Sequence, residues 1–215
     1  LSTPELGRAL LTATSNGDNP FDVLFLDGCF YGNLDTLYEI RNTASVIVAS
    51  PNYAWAAFAY DRYLPHFTPG ATPEEMAQAI VDEYQAALDD THPNAIFWVR
   101  GSDIAAIANA LSNLGDALRA AVSGQPSAVS DILDAALAGQ FADTTLCAGD
   151  WQLCPPDEQM GLRSFAAQLQ TRFAPGSDVH TAAGNVLTAL NGVHSNTANA
   201  VGHPWLKPEA NWDLS

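Results

Sequence analysis

The stretch FDVLFLDGCFYGNLDTLYEIRNTASVIVAS, residues 21–50, decides the fold. Phe21, Val23, Leu24, Phe25 and Leu26 form an apolar run broken only by Asp22, the density of a strand covered on both faces. Asp27 and Gly28 stop the run. Asn33 then caps a helical pattern in which Leu34, Leu37, Tyr38 and Ile40 share a face, and residues 44–50, ASVIVAS, read as a second buried strand. A strand–helix–strand unit of this length implies parallel pairing. Cys29 falls in the turn between strand end and helix start, where open α/β sheets place ligands and reacting groups.

Working outward, residues 2–16 read as a helix opened by the capping-box spacing Ser2…Glu5, with Pro4 in its first turn. Residues 51–70, PNYAWAAFAYDRYLPHFTPG, hold six aromatics between prolines and suggest a loop with a short helix that lines a pocket. TPEE opens a strong helix over 72–89. NAIFWVRG, residues 94–101, is a third strand, and Ser102 starts a long helix with Ile104, Ile107, Leu111, Leu114 and Leu118 at helical spacing. Further helices are expected near 127–139, 157–173 and 178–193, with 194–215 a polar, loop-like tail. Three strands under six or more helices make too narrow a sheet to stand comfortably alone, which implies part of a larger one. The expected division is a cysteine-bearing α/β part over 1–125 and a helical extension with a cysteine loop over 126–215.

With 215 residues, 47% of them hydrophobic, the chain can bury a sizeable core. Its 24 acidic and 8 basic residues give a formal charge of −16, which argues against nucleic-acid phosphate or an anionic membrane as partner and suits cationic substrates. No apolar run is long enough to span a bilayer. Three cysteines are an odd count. Cys147 and Cys154, close together in CAGDWQLC, are simplest read as a local disulfide, with Cys29 a free thiol; such a bond implies an exported protein, secreted or at the cell surface. The other reading is two unpaired structural thiols. Zinc is disfavoured because no C-x-x-C or H-x-x-x-H spacing accompanies the pair.

Thiolate chemistry requires a low thiol pKa and an adjacent base, usually histidine. A cysteine just before a helix gains from that helix's amides and dipole, and backbone N–H groups at Gly28 and Cys29 are placed to face a developing oxyanion. Gly32 permits a tight turn. Against this stands the plain alternative of a free cysteine packed under a loop.

The motif D-x-C-x-x-G, formed by Asp27, Cys29 and Gly32, followed by a helix containing YE and a strand ending VAS, resembles the clostripain family of cysteine peptidases, within the caspase-like clan. The similarity continues through TPEEMAQAIVDEY, SDIAAIANALSNLGDAL and HTAAGNVLTALNGV, covering most of 1–200, although only the cysteine motif is specific. It implies a caspase-like three-layer α/β sandwich with a mostly parallel sheet, to which this chain gives about three strands and most of the helices. It further implies Cys29 as nucleophile, Gly28 and Cys29 as oxyanion-hole backbone, and Asp27 at the floor of a pocket selecting Arg or Lys. Where the family carries an acidic, glycine-rich stretch ending in Trp, this chain has PNYAWAAFAY, so Trp55, Phe58 or Tyr60 takes the aromatic role.

In caspase-like peptidases the histidine lies upstream of the cysteine and is usually followed by glycine. Here His66, His92, His180, His194 and His203 are all downstream, in loops or on helices, and none precedes a glycine. The chain also starts at Leu1 rather than Met. The expectation is a processed, exported cysteine endopeptidase cleaving after basic residues. Its partners are an upstream fragment of the same precursor, carrying the base, and a peptide or protein substrate. The competing expectation is a catalytically silent caspase-like module in an extracellular assembly. No cofactor is expected; calcium, used by some family members, lacks a loop of the right spacing here.

Overall fold

The computed structural model describes residues 2–51, 54, 59–88, 94–143, 158–198 and 214. Helix α1 (Thr3–Ala13) leads into β1 (Phe21–Leu26), α2 (Leu34–Ile40) and β2 (Ala44–Ala49). A short α3 (Tyr60–Tyr63) with a 3-10 turn (Leu64–His66) precedes α4 (Pro73–Ala87), β3 (Asn94–Arg100) and the long α5 (Gly101–Gly124). Then come α6 (Ala128–Gly139), β4 (Gln140–Asp143), β5 (Glu158–Met160), α7 (Leu162–Arg172), α8 (Asp178–Ala189), a 3-10 turn (Leu190–Gly192) and β6 (Val193–Ala198).

The main sheet runs β1-β2-β3-β6. β1 and β2 pair in parallel, with Val23 opposite Val46 and Leu26 opposite Ala49, as the strand–helix–strand pattern implies. The rest of the sheet departs from the mostly parallel expectation. β3 is antiparallel to β2, and β6 is antiparallel to β3. Apolar density at 94–101 reports burial on both faces, and burial is the same whichever way the strand runs.

Alternation along the strands divides the core into two layers. Leu24, Leu26, Ile47, Ala49, Phe97 and Val99 face a core shared with Leu37, Ile40, Ile104, Ile107 and Leu114, and with α6, α7 and α8 through Ala135, Leu169 and Val186. Val23, Phe25, Val46, Val48, Ile96 and Trp98 face the other way, onto Tyr63, Ala77, Ile80, Val81 and Tyr84. The result is the expected three-layer α/β sandwich. Leu214 is fully buried in the first layer, and its carbonyl accepts from the Leu162 N–H at 3.0 Å.

Local signals act as read. The Glu5 carboxylate accepts from the Ser2 backbone N–H at 2.8 Å, and that of Glu75 accepts from the Thr72 N–H at the same distance, completing capping boxes on α1 and α4. Both carboxyls are held below the usual carboxylate range, chiefly by those backbone hydrogen bonds. The long helix starts one residue early, at Gly101, where a Cβ would lie 2.2 Å from the Arg41 carbonyl oxygen and 2.6 Å from that of Ala44.

Other readings are corrected. α1 stops at Ala13, where the backbone turns left-handed at Ser15 and Asn16, φ 54° and 62°. Tyr38 points outward at 43% exposure under the Arg41 guanidinium, 3.7 Å from its ring centroid, while Thr36 is buried with Leu37 and Ile40. The helix expected over 178–193 ends at Ala189, and that over 157–173 begins only at Leu162, after β5. The tail is not all loop, since β6 occupies 193–198. Its residues are polar because, among the described residues, it is the outer strand of the sheet. Backbone pairing with β3 holds it, aided by a Gln85 side-chain N–H donated to the Asn196 carbonyl at 2.9 Å and by His194 stacked 3.9 Å from Trp98. Cys147 and Cys154, between β4 and β5, lie outside the described residues, as do Trp55, Phe58, His92 and His203.

Partial burial against this stack holds the His194 imidazolium below the usual value of 6.5, with Arg100 adding to the effect and Asp103 opposing it. The folded protein thus binds this proton more weakly than the unfolded chain, so stability falls as pH drops below that value. We expect His194→Phe, which keeps the ring stack, to lose less thermal stability than the native protein between about pH 7 and about pH 5. Parallel melting profiles for the two would refute this.

Candidate active site

The site is built where β1 runs out of apolar side chains. Leu26 is the last paired residue, and Asp27 and Cys29 beyond it are exposed. The turn from 27 to 33 is tied at both ends. Phe30 is left-handed, φ 61°, a conformation held by the Asn33 side-chain amide donating to the Phe30 carbonyl at 2.7 Å. The same side chain accepts from the Thr36 N–H at 2.9 Å, so Asn33 both pins the turn and caps α2.

Gly32 supplies a second tie, and for a steric reason rather than a conformational one. Its N–H donates to the Ser50 carbonyl at 2.8 Å, just past the end of β2. A Cβ there would meet the Pro51 nitrogen at 2.6 Å and Phe97 of β3 at 2.7 Å. The Ser50 hydroxyl donates onward to the Ala95 carbonyl at 2.7 Å. Gly28 is closed over by Tyr31, whose ring would stand 2.4 Å from a Cβ at that position. Tyr31 carries no sequence signal that would have nominated it.

Of the other nominated residues, the structure adds Tyr60 to the turn of Cys29. Asp27 and Gly28 adjoin Cys29 in the turn, and Tyr60, on the first turn of α3, donates its hydroxyl to Asp27 Oδ2. This bond raises the Tyr60 pKa above its usual 10, with burial and the Asp27 charge adding to it, so the phenol stays a donor at neutral pH. Tyr63, one turn on, is 2% exposed and lies 5.3 Å from the Tyr60 ring; burial, then the nearby phenol and carboxylate, push its pKa up strongly. The Cys29 thiol donates to the Ala54 carbonyl at 3.9 Å.

None of the three described histidines is bonded to Cys29. His66 lies 3.6 Å from Glu83, the His180 backbone N–H donates to the Ser177 hydroxyl, and His194 stacks on Trp98. His194 is therefore on a strand, not in a loop or helix. Among the described residues no three His, Cys, Asp or Glu side chains converge to hold a metal ion. No described helix is long and apolar enough to cross a membrane. A groove of about 750 Å³ between α1, α2 and α5, lined by Thr3, Tyr38 and Asn109, takes no residue from the cysteine turn.

An α/β sandwich with an exposed cysteine at a strand end is the arrangement of the caspase-like cysteine proteases. The sequence pattern of the clostripain family matches residues 1–173, and the chain belongs to that family of cysteine proteases. Among solved structures it is similar to a cysteine protease of B. fragilis, at 16% identity and a TM-score of 0.62, covering all of this chain and 82% of that one. It is also similar to a secreted C11 cysteine protease of Bacteroides thetaiotaomicron in complex with an irreversible peptide inhibitor, at 16% identity and a TM-score of 0.56 over 96% of this chain. An inactive zymogen C11 protease of Parabacteroides distasonis superposes over 99% of it, at 13% identity and a TM-score of 0.61. This chain spans 52% and 55% of the length of those last two. No curated protein matches.

Gly32→Ala should cost about 1–3 kcal/mol in urea unfolding, because the atoms its Cβ meets include backbone that has nowhere to move. Gly115→Ala, in α5 with nothing within 4 Å, should instead be neutral or stabilising. Equal effects at the two glycines would show that the clamp at Gly32 is slack.

Proposed function

We propose that this protein is a cysteine endopeptidase that cleaves after lysine or arginine, with Cys29 as nucleophile and Asp27 as the carboxylate that receives the basic side chain. The observation that carries the reading is the exposed Cys29 thiol beside an exposed carboxylate, in a rigidly tied strand-end turn, in a chain of the clostripain family. The Cys29 thiolate attacks the scissile carbonyl carbon, and the carbonyl electron pair moves onto oxygen. Backbone N–H groups at Gly28 and Cys29 stabilise that charge. Collapse expels the amine, which takes a proton from a histidine, and leaves a thioester. Water, deprotonated by the same histidine, releases the acid and restores the thiol.

The base belongs to a strand seated on the open edge of β1. Among the described residues β1 pairs on one side only, and Phe21 on it is 41% exposed, an edge that invites another strand. A segment preceding the cysteine, kept bound after cleavage of a precursor, would cover it; the kinship with a protein described as a zymogen favours this. Export follows from the pairing proposed for Cys147 and Cys154. Trp55 and Phe58 are the other candidates for the aromatic role beside Tyr60.

A second reading draws on the same histidine observation. With none of the described histidines bonded to Cys29, the fold also suits a silent module that binds peptide without cutting it. Iodoacetamide labelling of the native full-length protein should modify Cys29 and leave Cys147 and Cys154 untouched. Cys29→Ala should abolish cleavage of Lys- and Arg-containing peptides, and Asp27→Asn should depress it far more than any cleavage after neutral residues. Normal alkylation at Cys29 with no cleavage of any peptide would favour the silent module.

A further inference from the structure

We propose that Tyr60 is a specificity-determining residue that biases the Asp27 pocket toward lysine over arginine. The inference rests on the reading of Asp27 as the basic-residue acceptor and goes beyond it, to the chemistry of the cation. Asp27 stands at the end of β1, and Tyr60 reaches it from 33 residues further along, through a hydroxyl donated to Oδ2. Tyr60 is the one side chain among the described residues that bonds Asp27.

The contact is not a chance meeting of two surface side chains. α3 is anchored by Tyr63, whose buried ring meets Phe25 edge-on at 6.1 Å and Phe67 at 6.2 Å. Phe25 lies on β1 two residues before Asp27, so the helix bearing Tyr60 is fixed to the strand that leads into Asp27.

The two basic side chains use a carboxylate differently. A guanidinium pairs best as a fork, with two parallel N–H bonds to the two oxygens in one plane. A phenol already donating to Oδ2 competes for that second position. An ammonium is a point charge with three donors and needs one oxygen. It can take Oδ1 and turn a second N–H to the Tyr60 oxygen, which keeps acceptor capacity while its own hydrogen is given to Asp27. Tyr60 therefore weakens the arginine fork and adds a partner for lysine.

The test uses full-length protein and two peptides that differ only in Lys or Arg before the scissile bond. The native protein should show the higher kcat/KM for Lys. Tyr60→Phe keeps the ring beside Tyr63, so it should fold as the native protein does, with an unchanged thermal midpoint. It should lower the Lys to Arg ratio by roughly ten- to a hundredfold, the weight of one hydrogen bond to a charged group, and mostly through KM. A native preference for Arg, an unchanged ratio, or equal losses for both peptides would each overturn the assignment. Asp27→Asn separates this from the underlying reading. If that variant keeps its basic preference, the pocket itself is misassigned; if it loses the preference while Tyr60→Phe leaves the ratio alone, only the role of Tyr60 falls.

Discussion

The arrangement depends on one close approach, that of the Gly32 backbone to the chain where β2 ends. Through it the turn after β1, the exit from β2 and the buried ring of Phe97 on β3 are brought within contact of one another. The chain of hydrogen bonds from the Gly32 N–H to Ser50, and from the Ser50 hydroxyl to Ala95, stitches the same three strands. Ser50 is 2% exposed, so these bonds are shielded from water and a lost partner there would leave a polar group stranded. A side chain on a loop is as well positioned as the loop's ties allow, and the ties of this turn run to the exit of β2 and to β3. Asn33 completes the set by holding the left-handed Phe30 and the start of α2 with one side chain.

How much of this can be read without coordinates follows from the range of each interaction. The β1–α2–β2 unit, the Asn33 cap and both capping boxes are legible because their determinants sit within a few residues of one another. β6 is not, since its sequence is polar and what makes it a strand is the edge of β3, about a hundred residues away. The short β4 and β5 carry too few residues for any periodicity to register. Tyr38 reads as part of an apolar face, yet an aromatic ring with a cation to lie under is as well placed outside.

The candidate site divides the same way. Asp27, Gly28 and Cys29 are neighbours in sequence, so their grouping needs no fold. Tyr60 is nominated for its aromatic character, but its bond to Asp27 is a tertiary fact that composition cannot supply. Gly32 reads as a turn glycine, and the structure gives the demand a different origin: crowding by backbone and ring atoms, while the positive φ falls on Phe30. The family pattern over residues 1–173 includes the turn that holds Asp27, Gly28 and Cys29.

The join between β3 and α5 has a consequence of a different kind. No residue separates them, as Arg100 ends one and Gly101 begins the other. With Gly101 wedged against the carbonyls of Arg41 and Ala44, strand and helix form one stiff lever whose fulcrum is the α2–β2 corner. Such a joint has no slack to absorb an insertion. Evolutionary changes of length must accumulate elsewhere, and a push on the far end of α5, some twenty residues out, would be felt at the strand that carries Phe97 under the cysteine turn.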